Sequence, residues 1–450
     1  MKKVLLNKER IINHLTLLFV VVFMTSWLYL APRIGDDVQD MKAVKGGIPS
    51  ILTNILTMDI GMWHHWSSRV FINYLMFVNE PESMKWIFAF VTGLMTVGLI
   101  IGLVALFRNQ HYLPLFSLLV LLFSWESMST AGWIATIITY WWTLCTGIFA
   151  LYLINTECHG WKKAIILFLS TILFLFAFNN EQLLAFGTVI YVGWLIYQLM
   201  HKLSCISFLH VPFALIVNWI ILLTCPGNKL RYDSSVHNLF RDFNKMTMIN
   251  KIDLGVFVTG HWYLFTMVPA VILLSILFIM ISRSSSVNNS VRILSWIPLL
   301  GILMGNSLTY ISSHTQRLKR LVTIDQHGWM WEISQNATGQ GFQYCLIIVI
   351  FGIMTYLIWK LFGKQAWLAE LIWIAGWLSR ISMGFTPTIY ASSDRTFIFL
   401  TMAMLFLSGW LIIKYRQALI KSSLSIVFLI LLAITWAPVI VRMLIPDKYI

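Results

Sequence analysis

Charge is what this sequence has least of. Only 11% of its 450 residues are Asp, Glu, Lys or Arg, where a soluble domain carries about a quarter. Acid is scarcest, with 18 Asp and Glu against 32 Lys and Arg, a net charge of +14. Cysteine is sparse as well. Cys145, Cys158, Cys205, Cys225 and Cys345 are odd in number and show no Cys-x-x-Cys spacing, so neither a disulfide framework nor a zinc site is indicated. Internal repeats and coiled-coil heptads are also missing. Together these absences exclude a soluble globule, a disulfide-stapled scaffold and a coiled coil.

What the chain has instead is apolar length. Hydrophobic residues make up 58% of it, arranged in runs long enough to cross a bilayer. The pattern predicts an all-α polytopic membrane protein with about thirteen transmembrane helices. They fall near 11–30, 85–107, 112–125, 134–154, 163–178, 183–200, 206–224, 262–281, 293–311, 342–362, 366–382, 396–413 and 423–440. Many of the 21 Trp lie near the ends of these runs, as interfacial belts require. The whole chain, 1–450, reads as one transmembrane domain. The basic residues are mostly spread over loops, which points to membrane topology and anionic lipid, not to nucleic acid.

Lys2, Lys3, Lys8 and Arg10 place the N-terminus in the cytoplasm. Ala31-Pro32-Arg33 is a poor cleavage site, so the first run reads as a retained helix of a protein of the cytoplasmic membrane. If spans alternate, the short loops near 108, 157–163, 201–202, 283–292, 360–364 and 414–421 face inward, each with Lys or Arg. Three long polar segments, 31–84, 225–261 and 312–340, then face outward. The first contains short amphipathic pieces over 50–57 and 66–77, suited to lie in the interface.

Two adjacent carboxylates, Asp36 and Asp37, stand where the first helix leaves the bilayer. An ionisable group there is costly unless solvated or paired; it is equally a favoured helix cap, and both readings stay open at this point. On the same predicted outer face are Glu126, Glu181, Arg231, Asp394 and Arg395. A carboxylate can accept the proton of an attacking hydroxyl. An arginine can hold a phosphate that is gaining charge. Each residue alone also reads as a helix end or a lipid anchor; their collection on one face is the stronger signal. His64 and His65 are sequence neighbours and share no helix face, so they read as interface residues ahead of metal ligands.

The order of these groups resembles the GT-C class of membrane glycosyltransferases, and within it the bacterial transferases akin to those that glucosylate O-antigen. The resemblance is carried by Gly35-Asp36-Asp37, Trp66-Ser67-Ser68-Arg69, Phe178-Asn179-Asn180-Glu181, Pro226-Gly227-Asn228 leading to Arg231, and the Pro387 to Arg395 segment. One departure is visible: Ser68 stands where such proteins commonly have Gly before the Arg.

The resemblance implies transfer of a sugar from a polyprenyl-phosphate donor to a hydroxyl of a cell-wall or surface glycan, such as a teichoic acid, outside the cytoplasmic membrane. It implies inversion at the anomeric carbon. Asp36 or Asp37 would be the general base. Arg395 and Arg231 would hold the donor phosphate and Glu181 would position sugar or acceptor, with Arg69, Asn228 and Asp394 also substrate-binding. A divalent metal, Mg or Mn, is left open. Two other classes remain. A polysaccharide polymerase or ligase would use the late basic stretch Gln316-Arg317-Leu318-Lys319-Arg320. A flippase or transporter would place ionisable residues mid-helix, usually in repeated halves.

Overall fold

The computed structural model describes all residues except 1, 44–47, 203–208, 285–286, 313–314, 316–321, 323–332, 420–422 and 445–450. The basic stretch 316–320, Gly46, Gly47 and Cys205 therefore lie outside the described residues. Among the described residues the chain is helical, with no strand. Eight helices of these described residues are long and apolar enough to cross a membrane, or up to ten if each of two bent pairs forms one span. The sequence pattern counts more because it scores short runs such as 112–125, which here is a 3-10 turn followed by the short helix Leu113–Leu121.

The chain divides into two compact units. The first comprises 1–121, 125–234 and 436–450; the second comprises 122–124 and 235–435.

In the first unit, α1 (Lys2–Leu30) packs against α5 (Lys85–Ala105). Between them come α2 (Asp36–Ala43), α3 (Ile48–His65) and α4 (Val70–Asn79). The segment read as a loop with two amphipathic pieces is thus three helices, and Trp66 to Arg69 forms the turn that joins α3 to α4. After α6 (Leu113–Leu121), α7 (Trp133–Ile154) contains a π-helical segment, Ile137–Trp142. Such wide turns are rare and cluster at functional positions. Here the turn is held from outside: Trp141 Nε1 donates to Thr96 Oγ1 at 3.0 Å and Trp142 Nε1 to Thr92 Oγ1 at 2.9 Å, both on α5. Then come α8 (Trp161–Ala177), α9 (Glu181–Met200), α10 (His210–Thr224) and α11 (Pro226–Asn238).

Not all Trp residues form a belt. Trp125 and Trp141 are fully buried, and Trp27 packs edge-on against Trp125, Trp133 and Trp436. Trp66, Trp86 and Trp161 are exposed as the belt reading expects. Indole is large enough to build a core, and proximity to a helix end does not decide which role it takes.

The segment 225–261, expected as a polar loop, is largely helical: α11 and α12 (Met248–Phe265) occupy it. Proline explains both breaks. Pro226 and Pro269 stand at first helical positions, where a missing N–H costs nothing, and the residue before a proline is pushed out of helical geometry. Cys225 is accordingly extended, and α10 and α11 meet at 57°. In the second unit α12 and α13 (Pro269–Ser284) meet at 71°. This unit continues with α14 (Asn289–Leu294), α15 (Ile297–Ser312), α16 (Ile333–Phe362), α17 (Ala366–Ile381) and α18 (Ile398–Lys414). The last helix, α19 (Leu424–Leu444), ends within the first unit. α12 approaches the turn after α17 closely: a Cβ on Gly255 or Gly384 would overlap the Ile381 or Lys251 carbonyl oxygen.

Candidate functional site

Two polar clusters lie in the first unit, joined by α4. Arg69 stands at the N-cap position of this ten-residue helix and Glu80 at its C-cap position. Eleven residue steps at helical rise put the two caps about 16 Å apart along the helix axis.

At the Arg69 end, Glu181 receives two arginines. Arg69 Nε lies 2.7 Å from Glu181 Oε2 and Arg231 Nη2 lies 3.5 Å from Oε1. The three side chains are 20–26% exposed, so the cluster is half-buried and reachable. The Tyr140 hydroxyl, from the π-helical segment, hydrogen-bonds the Arg69 guanidinium. Two cations against one carboxylate leave an excess positive charge.

Asparagines build the frame. Asn180 Oδ1 caps α9 through Leu183 N at 2.9 Å, and its Nδ2 donates to the Thr139 carbonyl at 3.0 Å. Glu181, the first residue of α9, is thereby fixed against the π-helical segment. Asn179 Oδ1 accepts from Phe71 N at 3.1 Å, and its Nδ2 donates to the Ser68 carbonyl at 3.2 Å. Asn228 Oδ1 accepts from Ser68 N at 3.3 Å. Gly227 permits that contact, since a Cβ there would stand 2.7 Å from the Trp63 carbonyl oxygen. Ser68 thus sits between Asn179 and Asn228.

At the other end is the acidic pair. Asp36 is exposed at the first position of α2. Asp37 is 1% exposed, and its carboxylate accepts from Ile134 N and Ala135 N at 3.1 Å. The N-cap residue of α7 is Gly132, which has no side chain to offer; Asp37 supplies the cap from far upstream, and N-terminal N–H groups of a helix need such an acceptor. Burial pushes the Asp37 carboxyl up to about 6, against the pull of the Ala135 and Ile134 N–H groups and of Arg33. The two carboxylates therefore differ: one is a buried cap, the other is exposed.

Arg33 and Glu80 complete this cluster, and neither was singled out from the sequence. Arg33 Nη1 lies 3.0 Å from Glu80 Oε2, and Nε lies 3.2 Å from Glu82 Oε2. Glu80 is fully buried; burial, then the neighbouring Asp37, push its carboxyl up to about 9 against Arg33. Arg33, Asp37 and Lys85 line a small cleft with Leu28, Phe88 and Trp133. One signal was present. Arg33 follows the first apolar run and Glu80 and Glu82 precede the second, and two helices joined this way bring those ends together.

The remaining predicted positions fall elsewhere. Asp394 and Arg395 belong to the second unit, Asp394 exposed and Arg395 half-buried with no ion pair among the described residues. Glu126 lies 3.6 Å from Arg442, a contact between two parts of the first unit. The His64 and His65 rings stand 6.4 Å apart, both exposed. Among the described residues no three His, Cys, Asp or Glu side chains are grouped so as to hold a metal ion.

Comparison with family models, curated proteins and solved structures gave no match.

Proposed function

We propose that the protein transfers a sugar from a polyprenyl-phosphate donor to a hydroxyl of a cell-wall or surface glycan, outside the cytoplasmic membrane. The observation that carries this reading is the pair Arg69 and Arg231 on the single carboxylate of Glu181. Guanidinium pairs with surplus charge suit an anionic leaving group. Asp36 supplies the second requirement, an exposed carboxylate on a fixed turn.

In this mechanism Asp36 takes the proton of the acceptor hydroxyl. The hydroxyl oxygen forms a bond to the anomeric carbon as the bond from that carbon to the phosphate oxygen breaks. The phosphate leaves with the electron pair, and Arg69 and Arg231 meet its growing charge. A single displacement inverts the anomeric carbon. The resemblance leaves metal dependence open, and no step here runs through a metal.

The test is the sugar composition of the surface glycan in a strain lacking the protein, complemented with wild type or with Asp36→Asn. One sugar should vanish, return with wild type and stay absent with the variant. Return of the sugar with Asp36→Asn would remove Asp36 from the mechanism.

A transport reading draws on Glu370 and Arg380, both buried in α17. They lie near opposite ends of that sixteen-residue helix, not at its centre, where a transport site would be sought.

A further inference from the structure

The charges around Asp37 do not balance. Asp37 and Glu80 are 1% and 0% exposed. Arg33 is the cation set against them, and it is shared with Glu82. Lys85 stands 4.0 Å from Glu82 and over the Tyr29 ring. Glu80 Oε1 is buried with no hydrogen-bond partner among the described residues. Asp36 and Asp40 add further negative field at Glu80. A second buried carboxylate without its own cation is costly, and such a site relieves the cost by keeping a proton.

We propose that Glu80 is a positioning residue that keeps its proton beside Arg33, and that this proton locks the 33–37 turn on which Asp36 is presented. With the proton held, Arg33 bridges the turn to the end of α4 and Asp37 caps α7. When it is lost, two buried carboxylates repel across one guanidinium and the turn loosens. The protein then loses sugar transfer on the alkaline side. The transfer readout rests on the proposed function; the proton itself does not.

The experiment uses the full chain in nanodiscs and reads the infrared carbonyl band of protonated carboxyl groups between pH 7 and pH 10. Wild type should lose such a band on the alkaline side. Glu80→Gln should lack that change, and Asp36→Asn should keep it. Asp37→Asn, which removes the neighbouring charge but keeps a capping oxygen, should move the transition to lower pH. Transfer is measured in parallel. Wild-type activity should fall about tenfold for each pH unit beyond the transition, while Glu80→Gln stays level.

A Glu80→Gln protein that keeps the wild-type band, or a Glu80 carboxylate already ionised at pH 7, overturns the proposal. So does a uniform loss of transfer at every pH, which is what a purely structural contact gives. If Glu80→Gln does not assemble, the Asp37→Asn shift decides. An infrared result as expected, with no transfer by wild type, sinks the glycosyltransferase reading and leaves the Glu80 proton standing.

Discussion

The Asp37 carboxylate occupies the place where a side chain of Gly132 would be. A Cβ on Gly132 would stand 2.7 Å from Asp37 Cγ and would overlap Oδ1. Gly132 also has φ +136°, a backbone conformation that residues with a Cβ rarely adopt. Gly132→Ala is therefore expected to abolish the proposed sugar transfer and to lower thermal stability by about 2–4 kcal/mol. Adding Asp37→Ala should recover only part of it, because the backbone strain remains. Thermal unfolding of the purified protein in detergent measures both, and a single mutant as stable as wild type would refute the contact.

Asp36 and Asp37 should separate on mutation. Asp36→Asn is expected to leave stability within about 0.5 kcal/mol, as exposed substitutions do, and to abolish transfer. Asp37→Ala is expected to cost about 1–2 kcal/mol through the lost cap, with Asp37→Asn costing less. Equal stability losses at the two positions would show that the cap is not Asp37.

Glu181 is predicted to restrain the two arginines. Glu181→Gln leaves Arg69 and Arg231 facing each other, and the half-buried setting suggests a cost of about 1–3 kcal/mol. The same change raises the positive charge left over, so inorganic phosphate should stabilise the variant more than it stabilises wild type. Thermal shift against phosphate concentration, with chloride as control, makes the comparison. Indifference of both proteins to phosphate would argue against an anion site there.

Gly227→Ala acts on the same cluster from behind. Its Cβ would press on the Trp63 carbonyl and overlap Trp66 N, pushing α11 away from the Ser68 turn and taking Asn228 and Arg231 with it. Loss of transfer with the protein still membrane-inserted is expected. Wild-type kinetics would mean that Arg231 does not depend on this contact.

Stability should fall with rising pH through Glu80. Its carboxyl sits at about 9 against an ordinary 4.5, so the folded chain binds the proton that the unfolded chain releases. That contribution is fully present below about 4.5 and is lost as pH rises through about 9. Asp37 adds the same sign between its ordinary 3.8 and about 6. Unfolding temperatures from pH 6 to pH 10 should decline for wild type and be flatter for Glu80→Gln. A rising curve would reverse the assignment.

The helical class with apolar helices of bilayer length was legible in the sequence, because runs of apolar residues at that length leave the backbone one way to satisfy its hydrogen bonds. It also put Arg69, Glu181, Asn228 and Arg231 on one predicted face, and their side chains meet in one cluster. It could not say which member of the Asp36–Asp37 pair is exposed. That depends on where α7 begins, a contact between residues far apart in the chain. Nor could it see that 225–261 is mostly helix, since a polar helix and a polar loop have similar composition. Glu80 and Arg33 read as ordinary charges at two helix mouths until the packing of α1 on α5 brought them together. Burial and pairing are properties of neighbours, and only tertiary structure chooses the neighbours.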